Sequence, residues 1–229
     1  MRKPVWEFAQ DVAESFTIGS PLVEMGARPA EGQEEIANMR SYFDVEEYIG
    51  CDIQPGVGVD RIEDIHALTF ADESVGTVLC FETLEHVADP IRAVREMHRV
   101  LRPGGLLAIS SVMFFPIHAH PWDYWRFTPE GFEKLLEPFE SRIVLAHGYE
   151  LLPEGVYGVG IKGPCPDLGP DRFPRLMRIV NNWGKSLPVD FGPIRMRTRD
   201  LWRYTLRYSG KELERGGRRL ARRLRRLSR

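Results

Sequence analysis

Residues 48–111 determine the fold and read YIGCDIQPGVGVDRIEDIHALTFADESVGTVLCFETLEHVADPIRAVREMHRVLRPGGLLAISS. A short apolar run, Tyr48 to Asp52, is followed by a loop and then by a second apolar run, Gly76 to Phe81. A segment with helical periodicity, Pro90 to Leu101, links that run to a third one, Leu106 to Ser110. Strand, loop, strand, crossover helix and strand in this order predict a parallel sheet of the α/β class.

Two acidic residues mark one edge of this predicted sheet. Asp52 ends the first run, and Glu82 directly follows the second. Ligands of open parallel sheets bind outside the carboxyl ends of the strands. The sequence therefore predicts a ligand site at the edge that carries Asp52 and Glu82.

Two strings in this region, ALTFADESVGTVLCFETLEHVADP and EMHRVLRPGGLLAIS, together resemble the class I S-adenosylmethionine-dependent methyltransferases, in particular the type 11 group. The resemblance extends from about Pro21 to Lys162. It implies a doubly wound, mostly parallel seven-stranded α/β sheet, the Rossmann-like methyltransferase fold, with an antiparallel edge pair. It also implies methyl transfer from S-adenosylmethionine to an O, N or C nucleophile of a small or lipid-like molecule.

Composition favours one domain with appendages. The chain has 229 residues, 43% of them hydrophobic, which suits one sizeable core. We expect an N-terminal helical segment at 1–20, an α/β domain at 21–163 and a basic extension at 164–229. The three cysteines form no C-x-x-C pair and no run of about 18 apolar residues occurs, so we expect a cytoplasmic protein.

Charge divides the chain unevenly. Residues 1–165 contain 13 Lys+Arg and 27 Asp+Glu, whereas residues 166–229 contain 18 and 6. The arginine-rich end, from Arg215 onward, has leucines at helical spacing. This pattern is typical of a helix on an anionic membrane, of a nucleic-acid-binding arm or of a solvated tail.

The resembling family has a loop of the type E-x-G-x-G-x-G after its first strand, which we place at Leu22 to Met25. We predict a helix after this loop, from about Glu31 to Phe43. Residues 24–30 read EMGARPA here, so Arg and Ala replace two of the three glycines. The resemblance implies that the cofactor contacts four residues of this loop, Glu24, Gly26, Ala27 and Arg28. Arg28 either meets the carboxylate of the cofactor's methionine part or is a solvated loop residue.

Further cofactor contacts follow from position. Asp52, with its neighbour Ile53, stands near the offset at which an acid accepts from ribose hydroxyls in nucleotide-binding units; a helix cap or surface charge is the alternative. The resemblance implies that Asp64 accepts from the adenine amino group and that the backbone of Ile65 donates to the ring. A slip to Asp60 or Glu63, or a purely solvated acidic loop, remains open.

The residues just past the fourth strand are expected to line the cleft around the cationic sulfonium: Glu82, Leu84, Glu85 and His86. A carboxylate such as Glu82 is favoured near a cation. His86 serves as a substrate-side base or fixes the loop by hydrogen bonding. Arg102 to Gly105 are expected to end the crossover helix with a glycine cap.

The segment VMFFPIHAHPWDYWRFTPEGFEKLL, residues 112–136, is dense in rings and polar groups. It follows the last predicted parallel strand, where related enzymes build the acceptor site. We predict a base in His118 or His120, an aromatic wall from Tyr124 and Trp125, and an anion or hydroxyl contact from Arg126.

A structural role for the same residues is the alternative. Trp125 and Phe127 would then belong to the core, and Asp123 and Arg126 would form a local ion pair. Metal binding by His-x-His and Asp has little support from spacing alone, so no metal is expected.

Two other functions stay open. The altered glycine loop allows a non-catalytic methyltransferase-like binding module, and the basic tail allows a nucleic-acid methyltransferase. The second lacks an N-P-P-Y-like string, because FETL, residues 81–84, stands in that place.

Overall fold

The computed structural model describes residues 2–29, 39–119, 121–182, 188–191 and 194–197. By the contacts between its residues, the chain divides into a first unit up to Asn181 and a second unit from Asn182. Among the described residues, no helix is long and apolar enough to cross a membrane.

Seven strands form the sheet of the first unit in the order β3-β2-β1-β4-β5-β7-β6. All pairs from β3 to β5 are parallel, and β7 runs antiparallel to both β5 and β6. The predicted doubly wound, mostly parallel seven-stranded sheet is therefore confirmed. The strands are β1 (Leu22–Met25), β2 (Tyr48–Asp52), β3 (Arg61–Ile62), β4 (Val75–Phe81), β5 (Leu101–Val112), β6 (Ser141–Tyr149) and β7 (Leu152–Ile161).

Helices cover both faces of this sheet. They are α1 (Lys3–Ser15), α2 (Pro90–Val100), α3 (Pro129–Leu135) and α4 (Pro174–Asn182), with short 3-10 turns at Arg40–Tyr42, Leu84–His86 and Pro170–Arg172. Thr128 caps α3 as its sequence predicts, because its hydroxyl accepts from the Gly131 N–H at 3.0 Å.

The buried strand β4 divides the core into two clusters. Val78 and Cys80 belong to the cluster that includes α2 and α3, whereas Leu79 and Phe81 belong to the one that includes α1. This alternation is the period of two that a strand imposes on its side chains. All seven residues of β4 are buried, as expected for a central strand of a parallel sheet.

The first unit extends past residue 163, where the basic extension was expected to begin. Phe173 and Leu176 are fully buried in the same cluster as Phe8 of α1. The Asp11 carboxylate of α1, itself buried, accepts from the N–H groups of Arg175 and Leu176 in the first turn of α4. Residues 164–181 therefore pack on the sheet through α1.

The prediction for Arg102 to Gly105 is wrong. The helix α2 ends at Val100, and β5 begins at Leu101. The register between β4 and β5 shifts from Val75 opposite Leu101 to Thr77 opposite Leu106. Residues 102–105 therefore form a bulge in β5, exposed at 102–104, in which Gly104 adopts φ +79°.

The second unit contains one antiparallel pair, β8 (Pro188–Phe191) and β9 (Ile194–Arg197). The arginine-rich end from Arg215 onward lies outside the described residues, as do residues 31–38 of the helix predicted at 31–43. The described part of that prediction, Arg40–Tyr42, is a 3-10 turn.

Candidate cofactor and acceptor site

The loops after β1, β2 and β4 meet at the carboxyl edge of the sheet. Gly26 adopts φ +77°, and a Cβ there would lie 2.1 Å from the Thr83 hydroxyl oxygen. The N–H groups of Gly26 and Ala27 both donate to the Cys51 carbonyl, at 2.9 and 3.0 Å. Glycine is therefore required at position 26 for the loop to turn between β2 and the segment after β4.

Glu24 lies buried beneath this loop. Its Oε2 accepts a hydrogen bond of 2.7 Å from the Tyr48 hydroxyl, which rises from the neighbouring strand. Burial raises the pKa of Glu24 to about 7, and the Tyr48 hydrogen bond offsets only part of that rise. Glu24 supports the loop from inside, through its bond to β2.

Arg28 is exposed and turns toward the loop after β2. Its guanidinium donates to the Gln54 side-chain oxygen, and its Cδ would lie 3.0 Å from a Cβ at Gly56. The described contacts of Arg28 thus join the loops after β1 and β2.

Asp52 ends β2 and does not cap a helix, since turns follow it. Its Oδ1 accepts from the Gln54 N–H at 2.9 Å, and the side chain is half-buried. Ile53, the next residue, is 66% exposed. Of the three roles considered for Asp52, namely ribose contact, helix cap and surface charge, the structure removes the helix cap.

Asp64 is the exposed acid of the next loop. Its Oδ1 accepts from the backbone N–H of His66 and lies 2.7 Å from Nδ1 of the same residue. Since His66 Nε2 accepts from the Asp89 N–H, Nδ1 carries the proton and donates to Asp64. These hydrogen bonds from His66 lower the pKa of Asp64. The half-buried Ile65 packs against the core.

The two neighbouring acids have structural partners. Asp60 accepts from the Gly50 N–H and pairs with Arg40. Glu63 is buried and accepts from both the N–H and the hydroxyl of Thr69. The register that assigns the outward-facing acid to Asp64 is therefore favoured over a slip to either neighbour.

Glu82 follows β4 in the left-handed region, at φ +49°. The Arg2 guanidinium forms a bidentate ion pair with it, from Nε to Oε2 at 2.8 Å and from Nη2 to Oε1 at 3.0 Å. Arg2 also donates to the Glu154 carbonyl and lies 5.6 Å from the centre of the Phe115 ring. The Arg2 guanidinium is therefore already paired with the carboxylate that the sequence assigns to the sulfonium.

Glu85 is fully buried in the turn after β4. Its Oε2 accepts from the Ser111 hydroxyl at 2.6 Å, and its Oε1 has no hydrogen-bond partner among the described residues. Burial, and then the neighbouring Glu82 carboxylate, raises the pKa of Glu85 to about 8. Its main-chain carbonyl accepts from the N–H groups of Tyr124 and Trp125, which fixes the acceptor-side segment against this turn.

His86 and His118 lie ring edge to ring face, with 4.7 Å between ring centres. Nδ1 of His86 is 2.7 Å from the Trp122 carbonyl oxygen, and Nδ1 of His118 is 3.2 Å from that of Pro116. A carbonyl only accepts, so Nδ1 carries the proton on both rings and Nε2 keeps a lone pair. Burial lowers the pKa of His86.

Arg126 is hydrogen-bonded entirely within its own segment of the chain. Its five N–H donors all have acceptors: two bonds reach the Asp123 carboxylate, and the others reach the carbonyls of Phe115, Pro116 and Trp125. The hydrogen bonds from Arg126 lower the pKa of Asp123. Arg126 has no N–H left for a substrate, so the ion-pair alternative describes it and the acceptor-contact prediction does not.

The aromatic side chains of this segment remain available. Tyr124 is 49% and Trp125 42% exposed, and Trp122 is more exposed still. The indole N–H of Trp125 donates to the Val87 carbonyl at 2.8 Å, which fixes the ring while leaving part of its surface open. Phe127 alone of the pair considered for the core is buried. His120 lies outside the described residues.

The sequence gives no role to Arg2, and it places Glu85 only among the residues expected to line the cleft around the sulfonium. Arg2 is separated from Glu82 by 80 residues, and no local pattern links them. The sequence indicates only weakly that Glu85 is buried. The indication is that an acid between Leu84 and Val87, in a short connection between buried elements, is placed to face inward.

The strand order, the carboxyl-edge loops and the acidic residues define a class I methyltransferase fold. A family model described as a methyltransferase domain matches residues 25–109.

Relatives and solved structures agree with this assignment. Ubiquinone biosynthesis O-methyltransferases of Parvibaculum lavamentivorans and Ruegeria pomeroyi are 30% identical over 97 residues and 35% identical over 96, in each case 42% of this chain. The chain spans about a third of their length, 36% and 34%.

Two solved structures share the fold. A SAM-dependent methyltransferase of Thermotoga maritima matches with a TM-score of 0.50 and 20% identity, over 68% of this chain and 89% of its own. A 4+2 cyclase, SpnF, matches with a TM-score of 0.52 and 14% identity, over 71% of this chain and 82% of its own. Since SpnF is named a cyclase, the fold by itself does not determine which reaction a protein of this fold catalyses.

Proposed function

We propose that this protein transfers a methyl group from S-adenosylmethionine to a hydroxyl oxygen of an aromatic or lipid-like small molecule. The observation that carries the proposal is the arrangement of one edge of the sheet. Asp52 ends β2 and the outward-facing Asp64 follows β3, the two strands on one side of β1, so both lie at the carboxyl edge that also carries the loop of Gly26, within the matched methyltransferase domain.

The residues present fit a nucleoside sulfonium. Asp52 and Asp64 each offer carboxylate oxygens to hydroxyl or amino donors, and Gly26 brings the main chain of the first loop close to the same edge. Hydrogen bonds to a charged carboxylate contribute about 1.5–3 kcal/mol each. When bound, the sulfonium supplies an electrophilic methyl group.

The chain's own part in the reaction is mostly positioning. The exposed rings of Tyr124 and Trp125 provide a flat apolar surface for the acceptor, and the main-chain bonds to Glu85 hold that surface beside the turn after β4. With the methyl donor bound, transfer of its methyl group to the acceptor oxygen would leave the electron pair of the broken carbon–sulfur bond on sulfur. The hydroxyl proton passes to a base, for which Nε2 of His118 is a candidate.

The choice of an oxygen acceptor draws on the relatives that are named O-methyltransferases. It is tested with the full chain, S-adenosylmethionine and one compound each of three classes: a catechol, an aliphatic alcohol and an aromatic amine. Mass spectrometry follows S-adenosylhomocysteine and the methylated product. We expect an O-methylated catechol; product from the amine alone would move the proposal to nitrogen.

A paired variant tests the acceptor surface. Tyr124→Ala is expected to raise KM for the acceptor about tenfold and to leave the affinity for S-adenosylhomocysteine unchanged, since a lost aromatic contact and its buried area are worth about 1.4 kcal/mol or more. Tyr42→Ala, in the turn before β2, removes a ring of similar exposure (37%) and should change neither quantity. Equal effects of the two variants would contradict the assignment.

A non-catalytic binding module is the second candidate. Gly26 and Ala27 direct their N–H groups to the Cys51 carbonyl, so these donors are not free for a ligand. If S-adenosylhomocysteine binds but no acceptor class yields product, this second function is favoured.

A further inference from the structure

The turn after β4 and the segment after β5 bring three potential metal ligands together. Glu85, His86 and His118 each offer one ligand atom, and the three atoms lie within 4.8 Å of one another. Among the described residues, this is the group of His, Cys, Asp and Glu side chains that meets such a spacing. From the sequence we expect no metal, and the only metal ligands considered there are His118, His120 and Asp123.

Each of the three side chains is already oriented by a hydrogen bond. The Trp122 carbonyl holds Nδ1 of His86, and the Pro116 carbonyl and the Asp123 carboxylate, at 3.2 and 3.3 Å, hold Nδ1 of His118. The Ser111 hydroxyl holds Oε2 of Glu85. Histidine ligands of metals almost always donate their other ring N–H to such a partner, which fixes the tautomer.

The carboxylate adds an independent observation. Oε1 of Glu85 is buried and has no hydrogen-bond partner among the described residues, and a buried unsatisfied polar atom costs about 1–3 kcal/mol, more when charged. A bound cation would satisfy it. Asp123 is not a rival ligand, because its two oxygens accept from Arg126 and the His118 N–H.

We propose that Glu85, His86 and His118 bind a zinc ion through one carboxylate oxygen and the two Nε2 atoms. Two imidazoles and a carboxylate are a ligand set of zinc sites with an open position, whereas Mg²⁺ and Ca²⁺ prefer oxygen ligands throughout. Zinc bonds of about 2.1 Å in a tetrahedron place ligand atoms about 3.4 Å apart. No pair need therefore approach by more than about 1.4 Å, a change within reach of side-chain rotation.

The fourth position of such a site would be open to water or to a hydroxyl. Zinc at that position lowers the pKa of a bound hydroxyl group. With zinc bound to Nε2 of His118, that atom could not accept the hydroxyl proton, so this lowering of the hydroxyl pKa would replace the base role proposed for His118. The metal site is tested apart from methyl transfer, because metal binding is measured without S-adenosylmethionine or an acceptor.

The experiment uses the tag-free full chain after dialysis against a chelator. Zinc is titrated in competition with a chromophoric chelator, and cobalt is added separately to record the visible absorption of a four-coordinate site. We expect one equivalent of zinc, no comparable binding of Mg²⁺, and a cobalt spectrum typical of four-coordination. Glu85→Gln, His86→Gln and His118→Gln should each weaken zinc binding about 100-fold or more, because even the loss of an outer partner costs about 10–100-fold.

His98→Gln is the matched control. His98 lies on α2, where its ring packs edge-on against Phe139, and its loss should leave zinc affinity unchanged. Circular dichroism verifies that each variant is folded. If Glu85→Gln does not fold, His118→Gln decides the test, because His118 lies in an exposed segment.

Absence of stoichiometric zinc binding in the parent would overturn the proposal. So would parent-like affinity and cobalt spectrum in folded His118→Gln. Loss in His118→Gln together with full binding in both Glu85→Gln and His86→Gln would place the metal on other ligands and would equally overturn it.

Discussion

Arg2 forms a bidentate ion pair with Glu82, joining the residue before α1 to the residue after β4 across 80 positions of sequence. Both side chains are largely shielded, at 21% and 19% exposure, so water screens the pair only in part. The pair lies at the edge where we propose that a sulfonium binds. Two cations, one from the chain and one from the ligand, would therefore compete for one carboxylate.

Removing the Arg2 charge tests this competition. Arg2→Met is expected to raise the affinity for S-adenosylmethionine, relative to neutral S-adenosylhomocysteine, by about three- to tenfold, since freeing a partly shielded carboxylate is worth about 0.7–1.4 kcal/mol to a nearby cation. Titration calorimetry with both ligands gives the ratio. Lys3→Met is the control, because Lys3 Nζ lies 3.8 Å from Glu7 and is 80% exposed. An unchanged ratio in Arg2→Met would show that Glu82 does not face the sulfonium.

Asp11 offers a test of how the first unit is held together. Asp11→Ala should lower the free energy of unfolding by about 2–4 kcal/mol, because it leaves the N–H groups at the start of α4 and the Arg175 guanidinium without their buried acceptor. Urea unfolding followed by circular dichroism measures the loss. Glu14→Ala removes the exposed partner of the same arginine and should cost no more than about 0.5 kcal/mol. Equal costs would mean that the cap contributes little.

Glu24 gives stability a specific pH dependence. Its pKa in the folded protein is about 7, against 4.5 in the unfolded chain, so the folded state holds a proton that the unfolded chain has released between these values. The contribution of Glu24 to the free energy of unfolding is therefore full below pH 4.5 and falls as pH rises toward 7, by about 3 kcal/mol in total.

Glu24→Gln keeps an acceptor for the Tyr48 hydroxyl and does not titrate. The difference in unfolding free energy between parent and variant should shift with pH by about that amount across the window. The exposed Glu47→Gln should follow the parent at every pH. A pH-independent difference between parent and Glu24→Gln would contradict the raised pKa.

Strands with strong apolar runs could be predicted from the sequence. The bounds of β1 and β2 were predicted to the residue, and β4 begins only one residue earlier than expected, since period and run length fix buried strands. The bulge at Arg102 to Gly105 was mistaken for a helix cap because Pro and Gly mark both structures.

The site was less predictable where distant parts of the chain meet. The hydrogen bonds of Asp64 stay within its own loop, whereas the saturation of Arg126 depends on three carbonyls that only the folded segment brings together. The Arg2 contact and the convergence of Glu85, His86 and His118 join separate elements, and no spacing in the sequence encodes them.

A nucleoside site at the carboxyl edge of the sheet is tested most directly by titration calorimetry of S-adenosylhomocysteine into the full chain, into Asp52→Ala and into Asp44→Ala. Asp44 is exposed and precedes β2, so it stands at the opposite end of the strand that Asp52 ends. We predict binding to the parent and to Asp44→Ala with equal affinity, and a loss of about tenfold or more in Asp52→Ala, since one hydrogen bond to a charged carboxylate is worth about 1.4 kcal/mol or more. No heat with the folded parent at millimolar ligand, or equal affinity in the two variants, would contradict a nucleoside site at this edge of the sheet.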